Sequence, residues 1–171
     1  MSPKSLLRHK RCVSSLDEMG KGSAFHRLLW DDAEYKPDTS KIKLLADKNI
    51  KKVVLCTGKV YYDLFDAREE LERNDVYLLR VEQLYPYPDD AVQAELSRFK
   101  SAEIVWAQEE PKNMGAWTFI NPFIEESLIA IKAKQTRANY VGRPASASTA
   151  TGIAAKHKNE QQAVIDGVFG K

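Results

Sequence analysis

The residues with chemistry in them fall into a few local groups. Glu109-Glu110 lie just past the end of a predicted strand, the edge where ligand sites collect in parallel α/β sheets. Adjacent carboxylates can act as acid and base when burial or mutual repulsion separates their pKa values. The alternative is that successive residues at a strand end point opposite ways, one of them pairing with a nearby Arg or capping a helix. Lys4, Arg8, Lys10 and Arg11, with His9 among them, form a cationic stretch with no acid before Asp17. Such a stretch can pair with acids elsewhere in the chain or offer a basic face to an anion. Ser146, Ser148, Thr149, Thr151 and Gly152 precede a predicted helix, with Arg143 close by. They could present hydroxyls and free N–H groups to an anion, or one hydroxyl could simply cap the helix. Arg80 sits inside an apolar strand, where a charge needs a partner. Glu82 or an acid on a neighbouring strand would make a structural ion pair.

Other signatures fail on spacing. Gly58-Lys59 is not a phosphate loop, because Val53 stands where that motif needs Gly and Val60 where it needs Ser or Thr. No G-x-G-x-x-G follows a strand, and there is no H-E-x-x-H, paired C-x-x-C or G-x-S-x-G. His9 and Cys12 lie three apart but have no second ligand pair, so they read as part of a solvated basic segment.

The elements that must position these groups are legible from periodicity. Residues 1–25 read as an irregular basic arm or linker, and 26–171 as one domain. Phe25–Trp30 is a candidate short strand, and Asp31–Lys41 a polar loop containing Pro37. Val53–Cys56 is a continuous apolar run, as in a parallel strand buried on both faces. Lys59–Arg73 carries Tyr61, Leu64, Phe65 and Leu71 at helical spacing. Val76–Val81 is the next strand. Asp89 and Asp90 suit a helix N-terminus. Glu103–Ala107 is a strand, Pro111–Gly115 a loop, and about Ile120–Ala133 a helix with Pro122 tolerable only in its first turn. Asn139–Val141 is a further strand and Lys156–Phe169 a terminal helix. Trp106 and Trp117 are expected in or near the core. This alternation predicts an α/β fold with three layers, a mostly parallel sheet with helices on both faces.

Composition bounds what the chain can be. Its 171 residues suit one ordinary domain, and no stretch approaches the roughly 20 apolar residues of a membrane span. A net charge of +2 argues against a nucleic-acid binder working by bulk electrostatics. That figure hides an arrangement: +5 over residues 1–52, −7 over 53–132 and +4 over 133–171. Cys12 and Cys56 do not make a disulfide scaffold, so a reducing compartment is the default.

Five stretches together resemble a known family. They are Ser2-Pro3-Lys4-Ser5-Leu6-Leu7-Arg8-His9-Lys10, with Ser14-Ser15-Leu16-Asp17-Glu18; Cys56-Thr57-Gly58-Lys59-Val60-Tyr61-Tyr62-Asp63-Leu64; Arg80-Val81-Glu82-Gln83-Leu84-Tyr85-Pro86; Gln108-Glu109-Glu110-Pro111-Lys112-Asn113-Met114-Gly115-Ala116-Trp117; and Gly142-Arg143-Pro144-Ala145-Ser146-Ala147-Ser148. In order and over essentially the whole chain, they are similar to the C-terminal part of the thiamine-diphosphate-dependent dehydrogenase subunit of the 2-oxoglutarate dehydrogenase complex. The resemblance implies a transketolase C-terminal-like fold. It implies a parent that decarboxylates 2-oxoglutarate in the tricarboxylic acid cycle and passes succinyl to a lipoyl-bearing succinyltransferase component.

The family's cofactor words, Gly-Asp-Gly and a later Asn-Asn, are missing here, so thiamine diphosphate and Mg are expected in upstream domains and none in this chain alone. The chain is expected to be a C-terminal fragment, Met1 an internal residue, and the domain an assembly and regulatory part inactive by itself. Its implied partners are the upstream domains of the same subunit, a homodimer partner, and AMP or acetyl-CoA as effector. Neither nucleic acid nor membrane is implied, and the compartment is bacterial cytoplasm or mitochondrial matrix. The block Arg8–Arg11 matches a phosphate-binding part of the family's effector region, so Arg8, Lys10 and Arg11 are candidate phosphate contacts, with Arg143 a further one. Arginine's planar fork suits phosphate and lysine adds a point charge.

Overall fold

Val53, Val54, Leu55 and Cys56 have no solvent exposure at all, and they make the middle strand of the sheet. The computed structural model describes residues 4–170; Met1, Ser2 and Pro3 of the first matching stretch, and Lys171, lie outside it. The strands are β1 (Leu28–Leu29), β2 (Lys52–Cys56), β3 (Val76–Val81), β4 (Glu103–Pro111) and β5 (Asn139–Arg143). Their order is β1-β3-β2-β4-β5, with β1 antiparallel and the other pairings parallel. The helices are α1 (Asp32–Tyr35), α2 (Val60–Glu70), α3 (Asp89–Leu96), α4 (Trp117–Ala130) and α5 (Ala154–Phe169).

Alternation along each strand builds two cores. Val53, Leu55, Tyr77, Leu79, Ile104 and Trp106 face α3 and α4, while Val54, Cys56, Val76, Leu78 and Ala107 face α2 and α5. The result is the expected three-layer α/β architecture. The chain winds outward from β2 to β3, then crosses back to β4 and β5. The C-terminal ends of β2 and β4 therefore flank the point where winding reverses, the usual ligand crevice of such sheets.

Several boundaries differ from the sequence reading. The arm is not wholly irregular: it contains 3-10 turns at Lys4–Arg8 and Leu16–Met19. Only Leu28 and Leu29 of Phe25–Trp30 join the sheet. The segment Asp31–Lys41 is not a plain loop, because the Asp31 carboxylate accepts from the Ala33 N–H at 2.9 Å and so starts α1. Strand β4 runs four residues beyond Ala107, since Pro111 pairs with Arg143 after a register shift. Helix α4 begins at Trp117, which puts Pro122 in its second turn rather than its first. Thr118 and Pro122 are both exposed, so the carbonyl that loses its helical donor can turn to water. Trp106 and Trp117 are buried as expected. No helix among the described residues is long and apolar enough to cross a membrane.

Candidate functional site

The basic arm is docked onto α2. The His9 ring lies 4.8 Å from that of Tyr62. Arg11 turns inward: Nη1 donates to the Thr39 carbonyl at 2.6 Å, Nε lies 3.2 Å from Asp66, and the guanidinium sits 4.4 Å over the Phe65 ring. Those contacts commit Arg11 to holding the arm. Arg8 and Lys10 remain exposed and take part in none of the ion pairs among the described residues.

Arg143 does not join them. It closes β5, at the opposite sheet edge from β1, and is buried. Its Nη2 donates to His157 Nδ1 at 2.9 Å and its Nε lies 3.6 Å from the Glu160 carboxylate. Arg11 is thus held against α2 and Thr39, and Arg143 against α5. The Ser/Thr-rich segment does not cap α5 either: Ile153 is the residue before the helix and no side chain accepts from its first turn. Thr151 instead donates its hydroxyl to Glu160.

At the winding reversal the two glutamates diverge. Glu110 is exposed, whereas Glu109 pairs with Lys59 at 3.2 Å. Lys59 also bonds Asp63 at 2.5 Å, and Gln161 of α5 donates to Asp63 at 2.8 Å. Burial alone would lower the Lys59 pKa, but the Asp63 bond and the Glu109 charge raise it above the ordinary lysine value. At this end of the sheet Lys59 is paired with both acids, and the partner foreseen as Arg is Lys59.

Arg80 finds acids at the edge of contact only, with Asp32 and Glu82 each 4.0 Å away. Its guanidinium lies over aromatic faces instead, 4.1 Å from the Tyr61 centroid and 5.6 Å from that of Tyr62.

Two polar clusters escaped the sequence reading. Arg68 is fully buried and makes a two-pronged bond to the fully buried Asp31. Arg68 also donates to the Val76 carbonyl at 3.1 Å, and Asp31 accepts from the Leu78 N–H at 2.7 Å. The pair thereby satisfies β3 where β1 stops short. A signal existed: Tyr61, Leu64, Phe65 and Arg68 share the i, i+3, i+4, i+7 stripe. The second cluster is the Gln108 amide, whose oxygen accepts from Trp106 Nε1 and the Trp117 N–H, both at 3.0 Å, and whose nitrogen donates to the Met114 carbonyl at 2.9 Å. It pins the loop that leads into α4. Gly115, at φ 64°, lies where an added Cβ would meet Glu110 Cβ at 2.9 Å.

The sheet winding and the helices on both faces make a three-layer α/β domain of the transketolase C-terminal-like kind. The chain belongs to the 2-oxoglutarate dehydrogenase C-terminal family, whose family model matches residues 13–169. It is 59% identical over 170 residues to the 2-oxoglutarate dehydrogenase E1 component of Brucella anthropi, and 58% identical over 170 residues to that of Brucella ovis. In each case the match covers 99% of this chain and 17% of the relative.

Proposed function

We propose that this chain is the non-catalytic C-terminal assembly and regulatory domain of a 2-oxoglutarate dehydrogenase, an oxidoreductase subunit that decarboxylates 2-oxoglutarate and transfers succinyl to a lipoyl arm. The observation that carries the reading is end-to-end identity of 59% with an E1 component of which this chain spans only 17%. The domain's own residues do not fit thiamine diphosphate and its cation. Among the described residues no group of three or more His, Cys, Asp or Glu converges as a metal site, and the carboxylate at the crevice, Glu109, is taken by Lys59. The cofactor and Mg belong, on this reading, to upstream parts of the subunit. A bacterial cytoplasm fits the Brucella relatives.

Two surfaces support the assembly and regulatory roles. Tyr85, Phe119 and Ile129 are exposed, and Tyr85, Phe119, Phe123 and Tyr87 form a run of neighbouring rings along α4 with centroid spacings of 5.2–6.5 Å. An apolar run of this kind suits burial against the upstream domains or the homodimer partner. Exposed Arg8 and Lys10 suit the phosphates of AMP or acetyl-CoA, with Arg11 fixing the arm beneath them. Titrating AMP and acetyl-CoA into the intact subunit tests the effector role. Arg8→Ala should weaken binding at least tenfold, and unchanged affinity would remove the arm from the site.

A further inference from the structure

One patch of the surface is divided into a cationic half and an anionic half, each set with exposed apolar side chains. Residues 19–30 hold Lys21, His26 and Arg27 and no acid, and Met19, Phe25 and Trp30 stand exposed among them. The ring-bearing segments are the reverse. Residues 82–90 and 113–131 hold Glu82, Asp89, Asp90, Glu125 and Glu126 and no Lys, Arg or His. Tyr85, 79% exposed, and Phe119 stand out from them. The halves adjoin, because the Glu82 and Gln83 N–H groups both donate to the Arg27 carbonyl at 3.0 Å. We propose that two copies of this domain pack reciprocally through this patch, the Tyr85 half of each on the Phe25 half of the other. This takes the homodimer proposed for the subunit as given and assigns the surfaces that meet in it.

Charge decides the occupant. Acids without a base among them repel the same segments of a second copy, so the rings are not covered like on like. They call for an apolar surface that carries cations, and residues 19–30 are one. Lys21, Arg27 and Asp90 are exposed and take part in none of the ion pairs among the described residues. Closure about a two-fold axis also requires both halves to lie in one continuous surface, so that each copy gives and receives the same contact. The shared Arg27 carbonyl provides that continuity. Complementary halves set far apart would build an open chain of copies instead.

The cationic half also holds a socket. A cavity of about 140 Å³ lies between the arm and β1, with Val13, Leu28, Leu29 and Trp30 as its apolar wall. Arg11, Lys36 and Arg80 outnumber Glu18 and Asp32 around it. Such a cavity suits an aromatic side chain flanked by acids, and Tyr85 has Glu82 before it and Asp89 after it. A tyrosine seated in a pocket is a frequent energetic anchor of an interface.

The intact subunit, assembled from ¹⁵N-labelled and unlabelled copies, is treated with a carbodiimide, which joins Lys to Asp or Glu in contact. Mixed-isotope peptides joining Lys21 to Asp89 or Asp90 are expected. A dimeric subunit whose mixed-isotope links all lie on other surfaces would overturn the assignment, whereas a subunit that sediments as a monomer would remove the homodimer itself. The patch lies wholly in this domain, so sedimentation velocity of this chain through a dilution series reads the dimer Kd. Arg27→Glu and Asp90→Lys each set like charges together and should raise Kd roughly tenfold or more. Combining them restores opposite charges and should recover most of that loss. Tyr85→Ser should also raise Kd roughly tenfold or more. All three side chains are exposed, so none of these changes disturbs the core. A chain that is monomeric at every dilution, or a double variant that associates no more tightly than either single one, would overturn the assignment.

Discussion

At the scale of single residues, the strongest polar commitment is the Asp31–Arg68 pair. Neither side chain is exposed. Removing one partner strands the other as an unpaired buried charge, so Arg68→Met should cost about 3–5 kcal/mol in urea unfolding. The double variant Asp31→Leu with Arg68→Met should cost less than Arg68→Met alone, because no charge is left stranded. A double variant as unstable as the single would show that the pair's backbone bonds matter more than its charge. The two cysteines give a second contrast. Cys56 is fully buried, and burial pushes its thiol well above the ordinary value, whereas Cys12 is exposed. Iodoacetamide should modify the native chain at Cys12 alone, read by peptide mass. Exposure of Cys56 to the reagent without denaturant would contradict the packing of β2. Arg68 was legible in principle from its place on the Tyr61 stripe, but a charge on an apolar face can be recognised as buried only when its partner is known. That partner, Asp31, lies in a polar stretch with no periodicity to mark it.

Elements were legible wherever periodicity and burial agree. Val53–Cys56 and Val76–Val81 read as strands because buried parallel strands are apolar throughout. The end of β4 was not legible, since Gln108, Glu109 and Glu110 look like loop residues until Pro111 is seen to pair with Arg143 across the register shift. Gly142 makes that edge possible. An added Cβ there would sit 2.4 Å from the Tyr140 hydroxyl and 2.9 Å from the Gln108 carbonyl, while Tyr140 donates to the Arg143 carbonyl at 2.8 Å. Gly142→Ala should therefore destabilise by about 1–3 kcal/mol, as overpacking does. Faster amide exchange should follow along β5 and not along β2. Uniform exchange in both strands would place the strain elsewhere. The arm's candidate phosphate residues were visible as a charge cluster, but not the division of labour within it. Only the fold shows that Arg11 is spent on Phe65, Asp66 and Thr39, and that Arg143 lies at the far edge.

For the whole molecule, charge pairing sets the pH range of stability. Hydrogen bonds from Arg98 hold the Asp47 carboxyl below 3.8, and hydrogen bonds from Arg73 do the same for Asp75. Groups depressed in the fold stabilise it above the unfolded pKa, and that contribution is lost as pH falls through their folded values. Lys59 is raised above 10.5, and burial followed by the Glu34 bond raises Tyr77 well above 10. Their contributions are present below those unfolded values and are lost as pH rises past them. Tm should thus be flat from about pH 5 to 9, falling below about pH 4 and above about pH 10. A steep change near pH 6–7 would point to a histidine network instead.

On the proposed function, this domain serves a 2-oxoglutarate dehydrogenase without performing its chemistry. The most direct measurement is carbon dioxide release from 2-oxoglutarate with thiamine diphosphate and magnesium present, run on the intact subunit and on this chain alone. The intact subunit should release carbon dioxide and the chain alone should release none. Release by the chain alone would contradict the proposed function.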